Sequence, residues 1–461
     1  MTATPGHVAS DFERELRDAL GDGQLSVRPA DLRSYATDQG PVTDYREPVA
    51  VVWAQTIADV QAVVKLAAKH GVPVVARGAG TGVSGGAHAT AGSLVLCLDR
   101  MNKILELNPE DEIARVEPGV VNAELNTAAA AHGLMYAPDP ASYKVSTIGG
   151  NVATNAGGLR CAKYGVTRDA VLALDVVLAD GALIHTGHRT FKGVAGYDLT
   201  SLFVGSEGTL GIVVGATVRL KYLPVDIRTL AVFFPDMQSA TAGILALGAK
   251  RVQPCILELL DGPSLEELDA RNGSKLADRG TALLLAQFDG LAAAQEADIA
   301  AAALTALGGN VNLEDPDEAE TLVDLRRHNR GMDVDSEITV GEDVAVPRSQ
   351  LVRYVAALEE MAARHGVGVR IIAHAGDGNL HPTFWVPEFE EASVAALNAA
   401  LDESIDKALE LGGTITGEHG IGQYKLQWLP LEQAEPVREI QRNIKNLLDP
   451  QGILNPGKAI V

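Results

Sequence analysis

The spacing of hydrophobic residues predicts a chain of alternating helices and strands from about residue 47. Residues 57–70 carry apolar side chains at the three- and four-residue intervals of an amphipathic helix. Three short apolar runs, at 72–76, 94–98 and 113–116, predict buried strands in the same region. Residues 138–158, in contrast, are dense in Pro, Ser, Gly and Asn, which is typical of a loop.

After residue 224 the order of the predicted elements changes. A strand, a helix and a strand are followed by a second such set, which ends near residue 313. This split βαβ order predicts a ferredoxin-like α+β domain. The final segment combines a glycine-rich loop with one predicted helix near residues 434–447.

The composition restricts the class of protein. The 461 residues suffice for two or three domains. The formal net charge of −22 argues against a nucleic-acid partner, because its phosphates would be repelled. The three cysteines, Cys97, Cys161 and Cys255, form no CxxC pair, as expected in a reducing compartment. With no apolar leader and no membrane-spanning run, we expect a cytoplasmic protein, with peripheral attachment to a respiratory membrane as an alternative.

A glycine-rich stretch at residues 77–87, RGAGTGVSGGA, indicates a ligand-binding loop. Such a loop lets backbone N–H groups approach phosphate oxygens with no Cβ in the way. Its Gly80-x-Gly82-x-x-Gly85 matches a dinucleotide fingerprint, but too few residues precede the next strand for the crossover helix that this motif needs. Similar stretches at 147–158 and 205–212 favour one long, polar ligand over a simple glycine-rich turn.

A second constellation is a histidine pair in a predicted hairpin. Asp377-Gly378 is a favoured two-residue turn. Centring the turn there places His374 opposite His381 on one face of the hairpin, as two ligands of one metal would stand. The alternative is a surface hairpin with two unrelated histidines.

A third constellation lies at residues 412–425, GGTITGEHGIGQYK. Glu418 and His419 stand among five glycines, where packing requires neither side chain. A carboxylate would complete a two-histidine, one-carboxylate metal set, and the neighbouring imidazole could act as a general base. The alternative is a flexible turn with solvated charges.

These residues belong to a series of motifs that resembles a known family. The motifs are RGAGTGVSGG, PDPAS, TIGGNVATNAGG, GYDLTSLFVGSEGTLGI, AHAGDGNLHP, GGTITGEHGIG and ILNPGK. In this order they are similar to FAD-linked oxidases and dehydrogenases of the vanillyl-alcohol oxidase type. Within that type they resemble D-lactate dehydrogenases, glycolate oxidase flavoprotein subunits and D-2-hydroxyglutarate dehydrogenases.

The resemblance implies a fold and a domain division. The fold class is α+β, with a vanillyl-alcohol-oxidase-type FAD-binding domain, a ferredoxin-like cap that binds substrate, and a C-terminal helical segment. The corresponding ranges are 1–46 for an N-terminal helical segment, 47–224 for the FAD-binding domain, 225–411 for the cap and 412–461 for a segment that returns to the FAD domain.

The resemblance also implies roles for individual residues. Those that would hold FAD are Arg77, Gly78, Ala79, Gly80, Thr81, Pro138, Asp139, Ser142, Gly149, Gly150, Asn155, Gly157, Glu207 and Ile212. The implied ligands of a divalent metal, usually zinc, are His374, His381 and Glu418. The implied catalytic residues are His419 as the base, Arg326 as a carboxylate clamp and Asn379 near the metal or the substrate.

Two departures from the family refine these expectations. Thr81 stands where some relatives attach FAD covalently to a histidine, so we expect non-covalent FAD, with His88 as a weaker attachment point. Gly341-Glu342-Asp343 stands where D-2-hydroxyglutarate relatives tend to carry Lys-Tyr-Asp. The missing lysine favours D-lactate or glycolate over a dicarboxylate.

Three classes of function follow from the sequence. The first is FAD-dependent oxidation of a small D-2-hydroxy acid, with a metal and a histidine base. The second is a non-flavin metal enzyme that uses the two-histidine, one-carboxylate set. The third is a non-catalytic flavin-binding subunit. The electron acceptor stays open between oxygen, a quinone, a cytochrome and an iron–sulfur subunit, and a homodimer is one option for the assembly.

Overall fold

A computed structural model describes residues 5–312, 316–328 and 337–461. Residue contacts divide the chain into two units. Unit 1 comprises Met1–Gly157, Val166–Leu223 and His419–Val461, and unit 2 comprises Gly158–Gly165 and Pro224–Glu418. The division into four segments at residues 46, 224 and 411 remains a prediction from the sequence.

The strands, in chain order, are β1 (Leu25–Ser26), β2 (Ala50–Trp53), β3 (Val74–Arg77), β4 (Leu94–Cys97), β5 (Ile104–Asn108), β6 (Ile113–Val116), β7 (Leu134–Met135), β8 (Val171–Val177), β9 (Leu183–Gly187), β10 (Ile212–Arg219), β11 (Lys221–Tyr222), β12 (Ile227–Phe234), β13 (Ile256–Asp261), β14 (Ala282–Asp289), β15 (Asn310–Asn312), β16 (Ile338–Gly341), β17 (Val344–Ala345), β18 (Gly368–His374) and β19 (Asn379–Val386).

The helices, in chain order, are α1 (Pro5–Ala19), α2 (Pro29–Ser34), α3 (Ile57–His70), α4 (Asn122–Ala130), α5 (Ile148–Thr154), α6 (Cys161–Tyr164), α7 (Thr167–Ala170), α8 (Leu199–Phe203), α9 (Met237–Ala249), α10 (Gly262–Asn272), α11 (Ala293–Thr305), α12 (Pro316–His328), α13 (Leu351–His365), α14 (Glu391–Glu410), α15 (Leu429–Glu432) and α16 (Glu435–Leu448).

Unit 1 contains a four-stranded sheet in the order β1-β2-β4-β3, with β4 parallel to both β2 and β3. The predicted helix over residues 57–70 is confirmed as α3, and its buried face carries Val60, Val63, Val64 and Ala67. These side chains share a core with the buried apolar residues of β2 and β4. Residues 81–93, all of which the structure describes, contain no helix, so the glycine-rich loop is not the opening of a Rossmann crossover.

A second sheet of unit 1 runs β5-β6-β10-β8-β9 and is antiparallel throughout. The prediction of a loop over 138–158 is wrong in part, because the chain forms α5 within it. Thr147 caps this helix by accepting a hydrogen bond from Gly150 N, and Asn155 ends it in the left-handed region at φ 51°. Ile148 and Val152 are buried and pack into the core of this sheet, so tertiary packing overrides the low helix propensity of two glycines.

Unit 2 is built on one sheet with the order β15-β12-β14-β13-β18-β19-β16, to which β17 adds by pairing with β19. The four strands that come first in the chain, β12 to β15, lie side by side in the order β15-β12-β14-β13. Each is antiparallel to its neighbours within this set. This is the predicted ferredoxin-like order, with α10 as an additional helix between the second and third strands. The hairpin of β18 and β19 extends the same sheet beyond β13.

The predicted register of this hairpin is wrong. His374 pairs with Asn379, and His381 pairs with Ile372, so residues 375–378 form a four-residue turn. The prediction assumed a two-residue turn at Asp377-Gly378. Because the register differs by two residues and side chains alternate with a period of two, both histidines still lie on one face. They are diagonal neighbours, not directly opposite residues.

Within the described part of the chain, no helix is long and apolar enough to cross a membrane.

The start of α3 offers a test of local stability. Thr56 Oγ1 accepts from Asp59 N at 3.2 Å, and Asp59 accepts in return from Thr56 N at 3.0 Å. We expect Thr56→Ala to lower the free energy of unfolding by about 1 kcal/mol, since it removes one half of this capping box. Urea denaturation measures the change. The control is Thr127→Ala on the exposed face of α4, and an equal loss in both variants would contradict the capping role.

Candidate functional site

A row of polar side chains crosses three neighbouring strands of the unit 2 sheet. Glu258 of β13 pairs directly with His374 of β18, which in turn pairs with Asn379 of β19. Directly opposite residues of antiparallel strands share a face, so the three side chains lie side by side. All three are buried. A polar row of this kind in a sheet interior requires partners for every member.

The two histidines and Glu418 converge on one point. His374 Nε2 lies 3.2 Å and His381 Nε2 lies 3.4 Å from Glu418 Oε1. The imidazole ring centroids are 5.1 Å apart, and the rings are nearly perpendicular. One nitrogen of each histidine and one carboxylate oxygen lie within 4.8 Å of one another. Two imidazole nitrogens and a carboxylate oxygen are a donor set that suits zinc, so these residues fit a divalent metal.

The carboxylates of the site and His374 stabilise one another's charged forms. Burial of the His374 ring opposes its charged form, but Glu258 and Glu418 on its two sides hold the pKa of His374 well above the ordinary value. Burial also opposes the charged form of Glu418, yet His374 and His381 hold the pKa of this carboxylate well below its usual range. The cluster therefore favours an ionised Glu418, which is the form that a metal ligand needs.

Carboxylates also stand behind both histidines. His374 Nδ1 lies 2.7 Å from Glu258 Oε1, and His381 Nδ1 lies 3.9 Å from Asp343 Oδ1. The hydrogen bond to Glu258 orients the His374 imidazole so that its Nε2 faces Glu418. The separation between His381 and Asp343 is that of an ion pair and is too long for a hydrogen bond. The other oxygen of Glu258 pairs with Arg326 Nε at 2.8 Å. The predicted carboxylate clamp, Arg326, is thus buried and paired with Glu258 through this nitrogen.

Asp343 holds together the loop that carries Glu418. Its buried carboxylate accepts from Asn379 Nδ2 at 2.7 Å, from Thr416 Oγ1 at 2.8 Å, from Gly417 N at 3.0 Å and from Glu418 N at 3.1 Å. Asn379 also donates to Val344 O at 2.9 Å. The predicted catalytic residue Asn379 therefore lies next to the site as a partner of Asp343, and it helps to position Glu418.

Sequence reasoning missed Glu258 and Asp343. Glu258 occurs in the apolar strand CILELLD, and a carboxylate inside such a run was a signal that it faces a polar partner. Asp343 lies between two short strands in GEDVAVP, where the sequence offers no comparable signal. The contacts of Asp343 come from Thr416–Glu418 and Asn379, which are distant in sequence, so only the fold reveals them.

In unit 1 the predicted FAD residues form two adjoining backbone surfaces. Gly78 lies so close to Thr147 Oγ1 that a Cβ would overlap it, and Gly150 stands beside both. The loop of residues 77–81 therefore meets the start of α5 closely, with only the small side chain of Thr147 between them. Arg77 donates from Nη1 to Thr37 O at 2.8 Å, and its guanidinium occupies the space beside Gly80, which has φ 70°.

The loop before α5 has unsatisfied polar atoms that suit a bound polar ligand. Within the described residues, Ser146 Oγ and Asn151 Nδ2 are buried and have no hydrogen-bond partner. Buried polar atoms without partners are rare, and a ligand can supply the missing bonds. The neighbouring predicted residues are Pro138, Asp139, Ser142, Gly149, Asn155 and Gly157, which lie in this loop, in α5 and immediately after α5. This part of unit 1 fits FAD.

Three further predicted residues lie elsewhere in unit 1. Glu207 is buried, and its carboxylate oxygens accept from Ile421 N and Gly422 N, each at 2.8 Å. Burial raises the pKa of Glu207 to about 7, although the two hydrogen bonds from Ile421 N and Gly422 N act in the opposite direction and lower it. Ile212 begins β10 and is buried in the core. His419 is half-buried, and it is the first residue of the unit 1 segment that follows Glu418.

His88, the alternative attachment point for FAD, is a buried structural residue. Its Nε2 lies 2.9 Å from Asp38 Oδ1, and both side chains are almost fully buried.

The comparisons with known proteins define the family. Residues 48–187 match the FAD binding domain, and residues 223–459 match the C-terminal domain of FAD linked oxidases. The chain is 38% identical to the glycolate oxidase subunit GlcD of Bacillus subtilis over 98% of this chain and 97% of the relative. It is 37% identical to a D-lactate dehydrogenase of Archaeoglobus fulgidus over 90% of this chain and 92% of the relative.

Solved structures with low sequence identity share the fold. A p-cresol methylhydroxylase with substrate bound is 20% identical, with a TM-score of 0.79 over 99% of this chain and 97% of that chain. A 4-ethylphenol oxidase from Gulosibacter chungangensis is 21% identical, with a TM-score of 0.77 over 100% of this chain and 98% of that chain. The predicted α+β fold of the vanillyl-alcohol oxidase type is confirmed.

A protein that combines this FAD-binding domain with this C-terminal domain is an FAD-linked oxidoreductase. The chain belongs to the FAD-linked oxidases and dehydrogenases, the family that includes the glycolate oxidase subunit GlcD and D-lactate dehydrogenases. This membership confirms the predicted cofactor FAD and removes the non-flavin alternative.

The contacts of Asp343 predict a large effect on the loop over residues 414–418. We expect Asp343→Ala to lower the free energy of unfolding by on the order of 3 kcal/mol. The reason is that the donors of Asn379 and of residues 416–418 lose the carboxylate that accepts their hydrogen bonds. Urea denaturation measures the loss, and hydrogen exchange of the loop should rise with it. The control is Asp298→Ala on the exposed face of α11, for which we expect a change within about 0.5 kcal/mol. Equal losses in the two variants would contradict the role of Asp343.

Proposed function

We propose that this protein oxidises a small D-2-hydroxy acid, such as D-lactate or glycolate, to the corresponding 2-oxo acid. The observation that carries the proposal is the convergence of His374, His381 and Glu418 in the unit 2 sheet of an FAD-linked oxidoreductase. The names of the relatives support the substrate class, since they include a glycolate oxidase subunit and D-lactate dehydrogenases.

We propose that Nε2 of His374, Nε2 of His381 and a carboxylate oxygen of Glu418 hold a divalent cation, most suitably zinc. Such a cation supplies Lewis acidity toward the hydroxyl and carboxylate oxygens of the substrate. Glu258 would keep the His374 imidazole oriented for this task. The donor set and the hydrogen bond between His374 and Glu258 support this assignment.

FAD, when bound, supplies the acceptor for the hydride that leaves the substrate Cα. The residues of this chain would bind and orient the substrate and move its proton. His419 would accept the hydroxyl proton at an imidazole nitrogen, since imidazole titrates near neutrality. Arg326 would bind the substrate carboxylate through its Nη groups, because its Nε is paired with Glu258.

The residues beside Asp343 favour a substrate with one carboxylate over a substrate with two. Glu342 stands where relatives that act on D-2-hydroxyglutarate tend to carry a tyrosine, and Gly341 stands where they carry a lysine. Glu342 is buried, and its Oε2 accepts from Asp343 N at 3.0 Å. An additional carboxylate in this position disfavours a second carboxylate on the substrate, which supports a monocarboxylic acid.

The electron acceptor and the assembly stay open. Oxygen, a quinone, a cytochrome and an iron–sulfur subunit are the candidates, and the chain's three cysteines provide no iron–sulfur ligand set of their own. A homodimer, a cytoplasmic location and peripheral attachment to a membrane remain proposals from the sequence. A non-catalytic flavin-binding subunit is the second candidate function, since one group of relatives is named as a subunit.

The metal assignment is tested by His374→Ala. We expect this variant to lose most of its bound metal, because it removes one of three ligands, while its FAD content stays at the wild-type level. Elemental analysis and the flavin absorbance of the purified protein measure the two quantities. The matched control is His365→Ala, whose imidazole pairs with Glu403 at the surface of α13. A full metal complement in His374→Ala would refute the ligand role.

The role of His419 is tested separately. We expect His419→Ala to retain FAD and metal and to lower turnover of D-lactate or glycolate by about 10²- to 10⁴-fold, the usual contribution of a general base. Steady-state kinetics over a range of pH give the measurement. Unchanged turnover would show that another group takes the proton, and inactivity of the wild type with every hydroxy acid would favour the non-catalytic alternative.

A further inference from the structure

We propose that Glu207 is a positioning residue that holds the loop of residues 419–424 against the glycine-rich loop, and that it does not bind FAD. The resemblance to the family implied that Glu207 is among the residues that hold FAD. Its contacts in unit 1 point to a different role, which concerns the loop that begins with His419.

The carboxylate of Glu207 occupies a backbone nest. Oε1 accepts from Ile421 N and Oε2 accepts from Gly422 N, each at 2.8 Å. Gly420 and Gly422 both have positive φ, of 82° and 53°, which turns successive N–H groups toward one point. Successive N–H groups of this kind form an anion-binding concavity. Both oxygens of Glu207 are therefore committed to the loop that follows His419.

Small residues on both sides leave room for this carboxylate. A Cβ at Gly420 would lie 3.0 Å from Glu207 Oε1, and a Cβ at Gly86 would lie 3.2 Å from Oε2. The carboxylate thus stands between the glycine-rich loop and the loop of residues 419–424. Glu207 itself has φ 52°, a backbone conformation that is unfavourable for residues other than glycine. Such a conformation requires support from the surrounding structure.

Ser84 links the same two loops directly. Its carbonyl oxygen accepts from Gln423 N at 2.9 Å and from Tyr424 N at 3.1 Å. Its Oγ lies 3.1 Å from the carbonyl oxygen of His419 and 3.1 Å from that of Gly420. Together, Ser84 and Glu207 bond to every residue from 419 to 424 through its main chain. The main chain is therefore held from the carbonyl group of His419 onward.

The C-terminal segment supports this arrangement from a third direction. Asn455 Nδ2 donates to Gly86 O at 2.9 Å and to Glu207 O at 2.7 Å. Lys458 Nζ donates to His88 O at 2.7 Å, and it is buried close enough to Glu207 to interact with its charge. Asn455 thus ties the main chain of Glu207 to the glycine-rich loop, and Lys458 places a positive charge near the buried carboxylate.

The consequence for catalysis rests on the proposed role of His419 as the base. A general base must stay within hydrogen-bond reach of the proton that it accepts, and a displacement of about 1 Å can lower turnover by on the order of a hundredfold. If Glu207 acts through the loop, its loss will disturb the loop and turnover together while FAD stays bound.

The experiment compares holoenzymes carrying Glu207→Gln and Glu207→Ala with the wild type. We expect amide exchange in residues 419–424 to become about tenfold faster or more, the ratio that corresponds to losing a hydrogen bond to a charged acceptor. FAD content should stay at the wild-type level. The kcat should fall on the order of tenfold to a hundredfold, with a smaller change in KM. Added formate should slow the exchange in Glu207→Ala, because it can refill the nest.

The matched control is Asp269→Asn in unit 2, where a carboxylate accepts from Leu276 N at 2.7 Å and from Ala277 N at 2.9 Å. We expect its kcat and its exchange in residues 419–424 to equal those of the wild type. Loss of FAD in both Glu207 variants with unchanged exchange would overturn the proposal and make Glu207 a flavin ligand. Faster exchange with an unchanged kcat would overturn the positioning role. Exchange and FAD content need no substrate, so a failure of the proposed reaction itself would be recognised separately.

Discussion

Buried carboxylates are stable only when donors of the protein surround them, and this constraint shapes both units. In unit 2, Asp343 satisfies its charge with Asn379, Thr416 and the amides of Gly417 and Glu418, and so fixes the loop that carries a candidate metal ligand. In unit 1, Glu207 satisfies its charge with the amides of Ile421 and Gly422. The chain segment 414–424 is therefore held by one buried carboxylate in each unit, and Glu418 and His419 lie where the two sets of bonds meet along the sequence.

The candidate metal site depends on the sheet in the same way. An antiparallel row places Glu258, His374 and Asn379 side by side, and the backbone pairing fixes the spacing of their Cα and Cβ atoms. A site on strands is more rigid than one on loops alone. Only Glu418 comes from a loop, and that loop is the one that Asp343 holds. The donor set thus combines two rigid imidazoles with one carboxylate whose position is set by the surrounding hydrogen bonds.

Much of this could be predicted from the sequence, and the exceptions have physical reasons. The helix over residues 57–70 is predicted from its apolar spacing alone, and in the structure the Thr56 cap and the left-handed Gly71 set its ends at the same residues. The α5 helix was missed because Gly149 and Gly150 lower helix propensity, whereas burial of Ile148 and Val152 decides the outcome. The hairpin register was wrong because Asp377-Gly378 favours a two-residue turn, yet the fold uses four. Glu258 and Asp343 were missed because their partners are far away in sequence.

The central claim is that this FAD-linked oxidoreductase takes electrons from a small D-2-hydroxy acid at a metal-assisted site. Its most direct test is the visible spectrum of the FAD-loaded protein, kept without air, before and after addition of D-lactate, glycolate or D-2-hydroxyglutarate, each with and without prior removal of metal by a chelator. We predict that D-lactate or glycolate bleaches the flavin, that D-2-hydroxyglutarate does so far more slowly, and that chelation abolishes the fast reaction. A flavin that no hydroxy acid reduces, or one that is reduced equally fast after complete removal of the metal, would contradict the account.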